Sequence, residues 1–197
     1  MVLAVVPFVQ EKMKGNDGSH DFAHVQRVVK IADALASAEE MSEEQRLLVT
    51  LGALLHDVLD HKYVKQASEV LVVEQEVREL LQPFLPPTQI EMIMSIINNV
   101  SYSKEKKGLV KVCFPELSIV QDADKLDAMG SVGVARAFMF GGTRGSSLEM
   151  VVHHFYEKLL HLNDCLKTES ARKIGEGRHQ QMCQFLESLT KEFAMLA

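Results

Sequence analysis

Apolar positions recur along this chain at intervals of three and four, and the runs between polar breaks are long enough for helices. In 21–38, Val25, Val28, Val29, Ala32 and Leu35 share one face, with Ser19 or Asp21 available as N-cap. Gly15 and Gly18 separate this segment from an apolar amino-terminal helix. Ser42 opens the next helix, with Gln45 placed to close a capping box, and Leu47, Leu48, Leu51 and Leu55 carry it to His56-Asp57. Gly52 on that helix allows a neighbour to approach closely. A further helix is predicted over 67–81 and is stopped by Pro83, Pro86 and Pro87. Thr88 is the expected cap of the following one, whose apolar face holds Ile90, Ile93, Met94 and Ile97. Residues 101–108, with lysines at 104, 106, 107 and, beyond, 111, are expected to form a solvated surface loop, or alternatively a phosphate-steering lid. Pro115 starts a helix carrying Asp122, Asp124 and Asp127 and is expected to end at Gly130. Another helix reaches Phe140, Gly141 to Gly145 makes a break, and two long helices joined near Lys167-Thr168 complete the chain. With no alternating strand pattern, the fold expected is all-α.

At 197 residues the chain suits one domain with a sizeable core. Its 27 acidic and 21 basic residues disfavour broad nucleic-acid or anionic-membrane binding, but leave room for a local basic pocket. No apolar run is long enough to span a membrane, and the short apolar start lacks a signal peptide's basic flank and cleavage site. Cys113, Cys165 and Cys183 are odd in number and widely spaced, so reduced thiols and a cytoplasmic setting are expected. Gly141 to Gly145 lacks the spacing of a phosphate-binding loop.

The chemistry concentrates at His56-Asp57. A carboxylate beside an imidazole at the end of a greasy helix must be paired, protonated or bound to a cation. Helical spacing turns His24 inward with Val28 and Ile31, and Asp124 lies between Val120 and Ala128. Three helices can therefore bring His24, His56, Asp57 and Asp124 to one point, giving two nitrogens and two oxygens to a divalent metal with positions left open. Asp122 and Asp127 are read either as solvated or Lys125-paired groups or as supports behind the ligands.

Three segments, Ser19-His20-Asp21-Phe22-Ala23-His24-Val25-Gln26-Arg27-Val28, Leu54-Leu55-His56-Asp57-Val58-Leu59-Asp60-His61-Lys62 and Gln121-Asp122-Ala123-Asp124-Lys125-Leu126-Asp127-Ala128, resemble in this order the HD-domain phosphohydrolase superfamily, and most closely its small stand-alone members. The likeness covers about residues 16 to 195. It implies one HD domain over 1–197, with a core of about 16–130 and carboxy-terminal helices over about 131–197, bundled around a metal held by His24, His56, Asp57 and Asp124, with Asp122 the weaker alternative for the last ligand. The hard oxygen-and-imidazole set suits Mn²⁺, Mg²⁺ or Fe²⁺. The implied activity is hydrolysis of a nucleotide or another small phosphorylated metabolite, at a phosphomonoester or pyrophosphate bond. Asp60 is the expected general acid or base, and Lys62 the first choice for meeting phosphate. Arg27, Lys125, Arg172 and Arg178 are further phosphate-binding candidates, with Arg27 also able to pair with Asp21. His20 and His61 are candidates for the site's edge. Two other readings stand beside this one: a metal-stabilised sensor or scaffold, and a di-iron oxidase. An alarmone hydrolase fits less well, because Asp127 occupies a position usually held by Asn in that group. A homodimer is left open.

Overall fold

The computed structural model describes residues 1–15, 17–59 and 66–195. Among them the chain forms ten α-helices and one 3₁₀ helix. In chain order the α-helices are α1 (Val2–Lys12), α2 (Phe22–Ala38), α3 (Glu43–Leu55), α4 (Ala67–Leu81), α5 (Pro87–Asn99), α6 (Tyr102–Lys106), α7 (Pro115–Asp127), α8 (Gly130–Thr143), α9 (Leu148–Glu157) and α10 (Glu169–Ala194); the 3₁₀ helix, Leu159–Cys165, lies between α9 and α10. The all-α expectation holds. No described helix is long and apolar enough to cross a membrane.

Local signals explain most of the boundaries. Asp21 caps α2 by accepting from the His24 amide at 3.0 Å. Ser42 and Gln45 form the reciprocal capping box that starts α3. The cap of α5 is Pro86, not Thr88: Pro87 takes the first helical position, where a missing N–H costs nothing. Residues 101–108 are not a plain loop, since they hold the short helix α6. Gly130 does not end α7, which stops at Asp127; it opens α8 instead, with a left-handed φ of 67°. Nor does the glycine-rich segment break α8 at once. A Cβ on Gly141 would lie 2.3 Å from Val151 Cγ2, so this glycine serves the close approach of α9, and the chain turns only at Arg144-Gly145. The first of the two long helices expected after Ser147 is α9 followed by the 3₁₀ segment.

Helices α2, α3 and α7 form the centre. Apolar residues of α2 and α3 contribute to both of two hydrophobic clusters. One contains Val28, Ala32, Val49 and Ala53 together with Ile119, Val120 and Ala123 of α7. The other contains Val25, Leu51 and Leu55 with Val5, Val77 and Ile93. Gly52 lets α3 meet α5 as expected: a Cβ there would lie 2.9 Å from Ile96.

Helix α7 is buried almost all round, although much of its sequence is polar. A buried polar group must find partners. Gln121 Nε2 donates to the Asn99 carbonyl at 2.8 Å. Asp122, fully buried, accepts from the Lys167 and Thr168 amides and from the Thr168 hydroxyl, at 2.8 to 3.0 Å. Thr168 in turn caps α10. The polar side chains of α7 thus fasten α5 and α10 to the centre, while its apolar ones fill the core.

Candidate metal centre and cavity

His24 is the third residue of α2, and His56 directly follows the last residue of α3; both imidazoles are buried. His24 Nδ1 lies 2.8 Å from Asp127 Oδ2, and His56 Nδ1 lies 2.8 Å from the Ala53 carbonyl. Each acceptor requires a proton on that Nδ1. In the neutral rings, both Nε2 atoms therefore carry lone pairs, and they face each other at 3.2 Å. Asp57 approaches both, with Oδ2 3.4 Å from His24 Nε2 and Oδ1 3.4 Å from His56 Nε2. Asp124 reaches in from the more open side, 3.5 and 3.9 Å from the same nitrogens. Two buried lone pairs facing the Asp57 carboxylate need a positive charge between them. A proton or a divalent cation supplies it: ligand atoms of His24, His56 and Asp57 all lie within 4.8 Å of one another, so this set fits a metal, with Asp124 at its more open edge.

The groups around the site hold it in this form. Asp127, 2% exposed at its side chain, accepts from His24 and from both Arg27 Nε (2.8 Å) and Arg27 Nη2 (3.1 Å), while Arg136 Nη1 pairs with it at 3.0 Å. Burial works against the Asp127 anion, but His24, Arg27 and Arg136 outweigh it and hold its pKa well below the usual carboxylate range. Burial likewise opposes ionisation of Asp57, and the two histidines again lower its pKa. For His24, burial lowers the pKa, but the bonds to Asp127 and Asp57 prevail and raise it from 6.5 to about 8.

This predicts a pH signature for chelator-treated protein. A pKa raised by folding gives His24 a stabilising share that is complete below pH 6.5 and is lost as pH rises through about 8. The lowered Asp57 and Asp127 pKa values act oppositely: their share holds above the ordinary carboxylate pKa of 3.8 and is lost only in stronger acid. The His24 share is about 2 kcal/mol, so the melting temperature should fall by roughly 4–8 °C between pH 6 and pH 8.5. His24→Gln should flatten the slope. A wild-type melt independent of pH over this window would contradict the raised His24 pKa.

The cluster lies at the wall of a cavity of about 340 Å³. His56, Asp57 and Asp124 line it together with His20, Arg136, Asn98, Tyr102, Lys104 and Lys158. Arg136 also donates from Nε and Nη2 to the Ser19 carbonyl at 2.8 and 2.6 Å, fixing the turn that leads into α2. His20 stands edge-on to His24, with ring centres 6.0 Å apart.

The structure brings together His24, His56, Asp57 and Asp124, but scatters the cations expected to meet phosphate. Arg27 is engaged by Asp127, not Asp21. Lys125 does not face a substrate: it is 2% exposed, donates to the Cys165 carbonyl at 3.0 Å and pairs with Glu105 at 2.8 Å. Neither Asp122 nor Asp127 pairs with it. Arg172 donates to the Leu166 carbonyl and Arg178 to the Leu126 carbonyl, so both serve as braces for α10 and do not line the cavity. Asp60, Lys62 and His61 lie outside the described residues. Arg136 was missed by the sequence reading; its signal is a single arginine in the otherwise uncharged helix α8.

Solved structures and sequence relatives match nearly the whole chain. YpgQ of Bacillus subtilis is 36% identical over 190 residues, covering 94% of this chain and 90% of YpgQ. Its crystal structure in complex with ADP superposes with a TM-score of 0.79 and 31% identity, covering 98% of this chain and 97% of that one. An HD-superfamily hydrolase from Bacillus thuringiensis superposes with a TM-score of 0.74 at 31% identity, covering 98% and 96%. The family model for the HD domain matches residues 21–129, from the Asp21 cap to the turn after α7, and takes in all four converging side chains; this chain belongs to the HD-domain family.

Proposed function

We propose that the protein is a divalent-metal-dependent phosphohydrolase that cleaves a phosphomonoester or pyrophosphate bond of a nucleotide. One observation carries the reading: the two facing Nε2 lone pairs and the Asp57 and Asp124 carboxylates open onto the same cavity as Arg136, Lys104 and Lys158. His24, His56, Asp57 and Asp124 would hold Mn²⁺, Mg²⁺ or Fe²⁺, and this oxygen-rich set leaves coordination positions for water and substrate. Such a cation, when bound, supplies an activated water and a polarised phosphoryl oxygen.

The chain's own residues do the rest. Asp127 keeps His24 Nδ1 protonated and its Nε2 directed at the centre. Arg136, Lys104 and Lys158 place positive charge at the cavity wall. Tyr102 offers a ring against which a base can stack. ADP bound to YpgQ supports a nucleotide as the ligand. Asp60 and Lys62, close after Asp57 in the chain, stay in the proposal as the proton-transfer and phosphate-meeting groups.

A phosphate-release and pyrophosphate-release screen of nucleoside mono-, di- and triphosphates, with Mn²⁺, Mg²⁺ or Fe²⁺ added, tests this reading. Turnover of at least one nucleotide that stops with chelator is expected. Metal uptake without turnover of any phosphate ester would favour the scaffold reading.

A further inference from the structure

The cavity's wall is made in part by α6, whose length and capping do not account for its order. Five residues are far fewer than an isolated helix needs in water. It buries no residue completely, and no side chain caps its start. Yet it carries Tyr102 and Lys104, both of which line the cavity.

What fixes α6 is Glu105. Its two carboxylate oxygens reach two different lysines, Oε2 to Lys125 at 2.8 Å and Oε1 to Lys167 at 2.8 Å. Lys125 stands on α7 next to Asp124, and Lys167 lies at the entry to α10, where its side chain also donates to Gln121. Among the described residues, Glu105 is the one carboxylate in ion-pair contact with Lys125, whose ammonium is almost completely buried. Such a pair is hard to break, because separation leaves an uncompensated charge inside the protein. Burial opposes ionisation of Glu105, yet the two lysines lower its pKa, so the carboxylate stays charged near neutrality. The other ties of α6 are the packing of Tyr102 against the hydrophobic core and its bond with Cys165, the Lys104 donation to the Asn98 carbonyl at 2.9 Å, the reach of Lys106 to the Glu157 carbonyl at 3.4 Å, and Lys158 at 5.7 Å from the centre of the Tyr102 ring; none of them meets a buried charge as Glu105 does.

We propose that Glu105 is a positioning residue for the nucleotide: clamped by Lys125 and Lys167, it holds the helix that presents Tyr102 and Lys104 to the cavity. This rests on the reading of the cavity as a nucleotide site and adds a determinant of substrate affinity that lies outside the metal cluster. A wall ordered in advance spares the ligand the cost of ordering it.

The test uses the full chain, Glu105→Gln, with Mn²⁺ and ADP as probes. Calorimetry should show Mn²⁺ binding unchanged within twofold and ADP binding to the Mn²⁺-loaded protein weakened about tenfold. Trypsin should cut after Lys104, Lys106 or Lys107 at least five times faster in the variant. The double variant Glu105→Gln, Lys125→Met removes the orphaned cation and controls for strain in α7; it should keep the weakened ADP binding. ADP binding restored in the double variant would place the effect in α7 and overturn the proposal, and so would equal ADP affinity in the single variant and wild type. Wild type that fails to bind ADP would sink the nucleotide reading, and the trypsin rates would then judge the anchoring of α6 alone.

Discussion

Replacing Asp57 with Ala is expected to leave a folded protein that has lost both its divalent metal and its phosphohydrolase turnover. Asp57 is the carboxylate closest to both facing nitrogens, with one oxygen 3.4 Å from each. Among the described residues Asp124 is the nearest alternative, and it is more exposed with longer contacts. Without Asp57, two imidazole lone pairs would have to hold the cation with Asp124 alone. The rate should fall by at least about 10³-fold, the scale of losing an electrostatic partner to the developing charge together with the activated water. Folding should survive, because the carboxylate borders the cavity and its removal leaves space that water can fill. Metal analysis, far-ultraviolet circular dichroism and the nucleotide screen on one preparation check all three parts. Activity within tenfold of wild type would remove the four-residue centre from the mechanism.

Asp127→Asn should have the second largest effect and a different signature. Asn offers one acceptor oxygen where Asp127 now serves the His24 Nδ1–H, Arg27 and Arg136. Its amide group would also point N–H donors at a guanidinium or at the imidazole. Breaking one side of a buried ion network costs about 3 kcal/mol or more, which urea titration of the metal-free protein would read as a lower midpoint. His24 would lose the group that fixes its tautomer and ring orientation. Metal affinity should fall 10–100-fold, since that is the usual effect of removing a carboxylate behind a ligating histidine. Unchanged Mn²⁺ affinity with lowered stability would make Asp127 a structural group only.

These two aspartates mark how far the sequence could be read. The convergence of His24, His56, Asp57 and Asp124 was legible because apolar spacing shows which way a helical side chain faces, and because His56-Asp57 at the end of an apolar helix demands a partner. The caps at Asp21 and Ser42 were legible for a similar reason: the interaction spans three residues and its chemistry is local. What was hidden depended on distance in the chain. Arg27 and Arg136 meet at Asp127 from separations of 100 and 9 residues, and nothing in their neighbours announces it. Lys125 sits beside Asp124 and invites a substrate role, but its side chain meets Glu105 and the Cys165 carbonyl. The glycines misled for a physical reason. Gly141 reads as a break, whereas its use is to let α9 come near, and sequence cannot tell turning from close approach. Short α6 was invisible because its order comes from a carboxylate clamp and not from helix propensity.

Helix α7 has a dynamic consequence. Its side chains hold α2 through Asp127, α5 through Gln121, α6 through Lys125 and the start of α10 through Asp122. No partial opening can expose its amides without releasing several neighbours at once, so their hydrogen exchange should follow global unfolding and be the slowest in the chain. The bound cation should then come and go from the cavity side, past the more exposed Asp124, while the backbone beneath it stays closed.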